Sequence, residues 1–235
     1  MAFDHQQFRQ RYRAAIRPDY RGWQHMLIVA LTGIGVIGYS VAQLQDVSWQ
    51  QLLTVPLTLL VVNFAEYAAH RWAGHRKGKN PLARLFYSRH SGDHHSFFIE
   101  SAMPFESTRD WRVVLFPAYL IFAFLFGLVA PVWYLLMEMG HGNVAYLYAA
   151  SAIGGYLFYE VMHFSYHLPR GSFVEKTPGW KQLRRLHVLH HERDQMAAKN
   201  FNITLPIFDL LLNTLYWRSE SSDTSAPRKA ESQHD

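Results

Sequence analysis

The sequence predicts an all-α, integral-membrane fold: about four transmembrane helices in two hairpins, with a cytoplasmic, histidine-rich helical cap. Three observations predict it. No charged residue interrupts 22–45, 47–65, 113–137 or 139–159, and each stretch is close to the roughly 20 residues that cross a bilayer core. All 23 Lys and Arg lie before residue 22, between 71 and 112, or after 169. Ten of the 14 histidines fall into four tight clusters outside the charge-free stretches.

Taken in order, residues 1–21 read as a basic, amphipathic segment at the membrane interface, not a cleavable signal, because arginines recur at 9, 11, 13, 17 and 21. Residues 22–217 read as one membrane domain. Spans are expected at about 24–45 and 47–69, then a cap segment over 70–112. Further spans are expected at 113–137 and 141–162, then a second cap segment over 163–217. Within it, 205–217 is apolar but short for a span, and reads as an interfacial or core helix. The final stretch, 218–235, is rich in Ser, Asp, Glu and Lys and is expected to be disordered. The basic residues place both termini and the cap on the cytoplasmic side. They also explain the formal charge of +5 as orientation and attraction to anionic lipid, which argues against a nucleic-acid binder. The absence of cysteine removes disulfides, thiolate metal sites and thiol nucleophiles. Nothing in the chain sets an oligomeric state.

The clusters are His70-x4-His75, His90-x3-His94-His95, His163-x3-His167 and His187-x2-His190-His191. Imidazole is the commonest neutral metal ligand, and ten are too many for one ion, so the pattern points to a pair of metals. On an α-helix, residues three and four apart share a face. His163 and His167 then point together, and His187, His190 and His191 converge. His90 and His94 share a face, with His95 rotated off it by about 100°, toward a second metal. His70 and His75 suit a helix that ends between them, with Gly74 as terminator. A ligating imidazole is usually oriented through its other nitrogen; Glu66, Asp93, Glu160, Glu192 and Asp194 are placed to do this. Glu160-x-x-His163 also has the spacing of carboxylate-bridged di-iron bundles, which leaves direct ligation open. For Asp194 and Asp209 a purely structural role stands equally open. Phe97, Phe98, Met103, Phe105, Phe158, Met162 and Phe164 either line a lipid pocket or pack. His5, His25, His141 and His234 stand alone and need no metal.

These boxes resemble the fatty acid hydroxylase / sterol desaturase superfamily of membrane histidine-box di-iron enzymes. The resemblance covers about 50–217. It rests on His70-x4-His75, His94-His95, Leu115-Phe-Pro, Tyr159-Glu-Val-Met-His163-x3-His167 and Leu183-Arg-Arg-Leu-His187-Val-Leu-His190-His191. A tail of Asn200-Phe-Asn202, Phe208-Asp209 and Asn213-Thr214 completes it and adds Asn202 to the residues expected behind the ligands. Three residues separate His90 from His94, where the family usually has two; this leaves the part of His90 open. The resemblance implies two Fe ions, with zinc or another metal as a substitute in isolated protein. It implies dioxygen-dependent hydroxylation of a C–H bond on an acyl chain or acyl lipid. Without a fused cytochrome b5 domain, electrons would come from a separate ferredoxin, cytochrome or reductase. Hydroxylation or desaturation of a sterol, hopanoid or carotenoid is the alternative enzyme reading. A non-catalytic metal-binding membrane protein is the alternative outside enzymes.

Overall fold

The computed structural model describes residues 3–218, and every described element is helical or irregular apart from one isolated bridge, Ile99 with Ala102. In chain order the α-helices are α1 His5–Ala15, α2 Gly22–Ala42, α3 Trp49–Leu52, α4 Thr54–Ala68, α5 Pro81–Tyr87 and α6 His95–Phe97. They continue with α7 Trp111–Val114, α8 Leu120–Phe124, α9 Ala130–Glu138, α10 Gly142–Tyr166, α11 Trp180–His190 and α12 Ile207–Leu211. Wider π turns follow α4 (Ala69–Gly74), α5 (Ser88–His94) and α8 (Leu125–Val129). The tail expected to be disordered lies, from residue 219 on, outside the described residues.

Three helical runs are long and apolar enough to cross a membrane: Gly22–Ala42, Trp49–Gly74 and Leu120–Glu138. Their outer faces expose Leu31, Ile34, Leu57, Val61, Phe126 and Leu135. An apolar surface of this extent calls for lipid, so the chain is an integral membrane protein. The fourth expected span, 141–162, corresponds to most of α10, which starts one residue later. With 25 residues, α10 is about 37 Å long at 1.5 Å per residue, but Tyr, Ser and Gly dilute its hydropathy. It is the central helix: Ala149, Ala152 and Ile153 are buried against the helices around it. Small residues allow close approach, as helix pairs in membranes require. A Cβ on Gly33 of α2 would meet Leu157 at 2.6 Å, and one on Gly155 would meet Val62 of α4 at 2.8 Å.

The turns after α2 and before α10 are tied together. Gln45 N–H donates to Asn143 Oδ1 at 3.1 Å, and Asn143 Nδ2 donates to Gln51 Oε1 at 3.2 Å. Ser48 and Gln51 form a reciprocal capping box that starts α3.

The helical run expected from 113 begins instead at Leu120. α7 ends at Val114, and Leu115–Pro117 is irregular. Pro117 has no N–H to continue a helix, and protein groups take up this backbone: His25 Nε2–H donates to the Phe116 carbonyl at 2.7 Å. Non-helical backbone at membrane depth is tolerated where protein or a cavity surrounds it, and both do here.

The basic N-terminal helix is docked on protein. Tyr12 of α1 packs edge-on against Phe97, and Arg9 is buried with its guanidinium 4.6 Å over the Phe97 ring. Arg13 forms two hydrogen bonds of 2.8 Å to the buried Asp110. Within 205–217 only Ile207–Leu211 is α-helical, and Leu210 and Leu211 are exposed.

Candidate metal centre

The histidines meet in two groups. His70, His75, His90, His95 and His190 form the first; His94, His163, His167 and His187 form the second. Within each group the ligand atoms lie within 4.8 Å of one another. In the first, Nε2 of His90 is 2.7 Å from that of His70, 3.0 Å from that of His75 and 3.1 Å from that of His95. His190 Nε2 is 3.0 Å from His75 Nε2. In the second, His94 and His163 face each other at 3.2 Å, and His167 and His187 at 3.0 Å. His191 sits between the groups: its Nε2 is 3.2 Å from His187 Nε2, and its ring stacks on His95 at 4.2 Å.

This partition differs from the α-helical expectation in three places. His70 and His75 join one group although five residues apart, because α4 does not stop before Gly74; it widens into the π turn Ala69–Gly74, with His75 as its cap. On an α-helix five residues subtend about 140° off register; i→i+5 bonding turns the pair toward one side. The same widening over Ser88–His94 puts His90 with His95. His94, though stacked on His90 at 5.4 Å, presents its Nε2 to the second group. His187, His190 and His191 do not converge as a triplet: His187 and His190 serve different groups. His163 and His167, four apart on α10 and its cap, stay together as expected.

The imidazoles are oriented mainly by backbone. Nδ1–H of His70 donates to the Phe201 carbonyl, that of His94 to Val113 at 3.0 Å and that of His167 to Met103 at 2.8 Å. His190 donates to Lys199 at 2.8 Å and His191 to Phe98 at 2.7 Å. The side chains expected in that role bond elsewhere. Both oxygens of Glu66 accept from Thr204, and Glu66 also accepts from Ile203 N–H and Asn202 Nδ2. Asn202 Oδ1 accepts from the Phe208 and Asp209 N–H groups. Asp93 pairs with Arg89 and Glu192 with Arg218. Glu160 is buried, accepts from the Tyr156 hydroxyl at 3.3 Å and keeps Oε2 without a hydrogen bond. No hydrogen bond joins Asp194 to a histidine among the described residues. Glu66 and Asp209 act one step further out. They hold the segment 200–204, whose carbonyls and neighbours position His70 and His190; Asp209 accepts from the Phe201 and Asn202 N–H groups. A carbonyl acceptor leaves no sequence signature, which is why these contacts were not legible in the chain.

This donor set fits metal. A carbonyl only accepts, so five imidazoles carry their proton on Nδ1 and aim an Nε2 lone pair inward. Facing lone pairs repel unless a cation lies between them. Protons do not supply it: burial, reinforced by neighbouring imidazoles, pushes His75 down to about 2. It pushes His94 down to about 4, and His90, His95, His167, His187, His190 and His191 well below the ordinary imidazole range. The four lone histidines have other fates. His25 bonds Tyr20 and Phe116, and His5 bonds the Phe97 carbonyl. His141 precedes α10, and His234 lies outside the described residues.

A cavity of about 430 Å³ touches both groups, at His70 and His90 and at His94 and His163. Its walls are mostly apolar, with Val62, Phe86, Leu115, Phe116 and Leu120, and it runs along α8 to Leu128. Of the residues for which lining and packing both stood open, Phe97, Phe98, Met103, Phe105 and Phe164 pack in one core cluster, Met162 packs in another and Phe158 is exposed. The sequence reading did not single out Arg112, which also lines the cavity.

The family model described as Fatty acid hydroxylase matches residues 55–214. A curated relative, the dihydroceramide fatty acyl 2-hydroxylase FAH2 of Arabidopsis thaliana, is 27% identical over 177 residues. That match covers 72% of this chain and 66%, just under two thirds, of the plant protein. A solved structure described as full-length scs7p, with only its hydroxylase domain visible, superposes with a TM-score of 0.57 at 18% identity, over 84% of this chain and 67% of that one. That likeness bears on the fold. With the family match spanning every histidine of both groups, this chain belongs to the fatty acid hydroxylase family.

Proposed function

We propose that this chain is a membrane-bound lipid hydroxylase that holds two iron ions in its two histidine groups and oxidises an acyl chain lying in the adjoining cavity. The observation that carries this reading is the continuity of one apolar cavity with both groups. The iron pair, when bound, supplies activation of dioxygen with two electrons from a separate donor protein. The chain's own groups do the rest. The Nε2 atoms hold the ions, and the carbonyls of Phe201, Val113, Met103, Lys199 and Phe98 fix the imidazole planes. Leu115 and Phe116 wall the cavity, exclude water and lay the chain against the centre. The plant relative's description as a fatty acyl 2-hydroxylase supports attack near the polar end of the acyl chain. The Arg and Lys distribution supports four spans in two hairpins with both termini cytoplasmic, and the tie between the two far turns supports their sharing one side.

The test is lipid mass spectrometry on cells expressing the wild type or His190→Ala, with iron, oxygen and a donor supplied. A lipid that gains one oxygen with the wild type alone establishes the hydroxylase. Loss of two hydrogens makes it a desaturase. Full product with His190→Ala overturns the assignment of the centre.

A further inference from the structure

Besides the histidines, the cavity is lined by Glu66, whose oxygens accept from residues 202–204, and by Tyr119, Tyr156 and Tyr159; its remaining polar groups lie on one wall. There Tyr12, Arg89, Asp93 and Arg112 line the same space as His90 and His94, and Arg89 and Asp93 flank those histidines in sequence. The four groups are neighbours. Burial and the Asp93 charge push the Tyr12 phenol up while Arg112 and Arg89 pull it down. Asp93 lies close enough to Arg89 and Arg112 to feel both charges. Arg89 and Asp93 form an ion pair at 3.4 Å. Arg112 is half-buried, and its guanidinium makes no hydrogen bond or ion pair among the described residues; Tyr20 and His25 also feel its charge without bonding it. Tyr12 Oη is buried beside Arg89, which can only donate to it, so its O–H has no acceptor. Two cations facing one carboxylate leave this wall with a single uncompensated positive charge and an unused phenol donor. A half-buried cation without a counter-ion costs more than an exposed one, so a ligand that brings the missing anion is favoured here.

Resting on the hydroxylase reading, we infer that Arg112, backed by Arg89 and Tyr12, reads the polar end of the substrate and selects acyl lipids that carry one negative charge there. The carboxylate of a free fatty acid and the phosphodiester of an anionic phospholipid share that chemistry. A neutral amide-linked lipid does not. The apolar remainder of the cavity takes the chain, and the anion beside Arg112 sets which carbons lie against the histidine groups.

Binding tests this without metal turnover, by displacement of 11-(dansylamino)undecanoic acid from the purified full chain in neutral detergent at pH 9. Palmitate and palmitamide share a chain and differ in charge. The wild type is expected to bind palmitate at least about tenfold more tightly, a ratio that corresponds to about 1.4 kcal/mol. Arg112→Gln is expected to erase the preference, Arg112→Lys to keep part of it, and Arg89→Gln to weaken it. Dipalmitoyl phosphatidylglycerol in a parallel titration separates the sources: tighter binding than palmitate assigns the phosphodiester, weaker binding the free acid. Equal affinity of the wild type for palmitate and palmitamide overturns the inference, as does a preference that survives Arg112→Gln. A protein that prefers palmitate yet adds no oxygen to any lipid keeps this inference and removes the hydroxylase reading.

Discussion

Removal of the Glu66 carboxyl separates the two histidine groups. Glu66 accepts four hydrogen bonds, from Thr204 N–H at 3.0 Å, Thr204 Oγ1 at 2.6 Å, Asn202 Nδ2 at 3.3 Å and Ile203 N–H. Glu66→Ala leaves the Ile203 and Thr204 N–H groups unpaired at about 1–3 kcal/mol each, with further loss at Thr204 and Asn202, for a total near 4 kcal/mol. The segment it frees carries the Phe201 carbonyl that orients His70 and adjoins the Lys199 carbonyl that orients His190. Both histidines belong to the first group; none in the second is oriented by that segment. Loss of an orienting contact weakens metal binding about 10- to 100-fold. Purified Glu66→Ala should therefore approach one metal per chain by elemental analysis, against two for the wild type, with a lowered Tm. Glu66→Gln keeps an oxygen for the two N–H groups and offers an amide to the Thr204 hydroxyl, so it should cost about 1 kcal/mol and keep both metals. Two metals and an unchanged Tm in Glu66→Ala would refute the anchoring argument. Equal damage from Glu66→Gln would show that the charge itself matters.

Two further perturbations probe the frame. Burial pushes the Asp110 carboxyl up, but the Arg13 hydrogen bond and backbone N–H groups outweigh it and hold the folded value below the ordinary aspartate range. That stabilisation is complete above the ordinary range and is lost as pH falls through the depressed value. The protection factors of the α1 amides should therefore fall below about pH 4, and Asp110→Asn should show lower protection already at pH 7; wild-type protection factors that do not change with pH would remove Asp110 as the anchor. Gly155→Val places a branched carbon where Val62 lies 2.8 Å away. It should cost about 1–3 kcal/mol and part α10 from α4, which carry His163 and lead to His70, so the Tm and metal content should fall together. Gly35→Ala, whose Cβ meets nothing, is the control; equal loss in both would sink the close-approach argument.

Much of this protein was legible in the chain. Charge-free runs of membrane length mark the apolar helices because lipid tolerates no unpaired charge there. Ten clustered histidines mark two groups able to hold metal, because no other common use needs so many. The family resemblance drawn on those boxes agrees with the family match over 55–214. The position of His90, not given by its unusual spacing, is set by the π turn that brings it beside His70, His75 and His95.

The sequence by itself determined how many imidazoles there are and which stretches carry them. Only the tertiary structure decided which imidazole serves which group. Helical register follows the local backbone bonding, and the two turns that carry His70 and His90–His94 bond i→i+5 where residue spacing alone implies i→i+4. It also decided what stands behind five of the ten imidazoles. The acidic residues near the boxes proved to anchor loops, salt bridges or a tyrosine, while backbone carbonyls, common to every residue and silent in sequence, orient the rings. The cavity, finally, is bounded by segments far apart in the chain, from Tyr12 to His163. Its wall chemistry exists only once packing has brought them together.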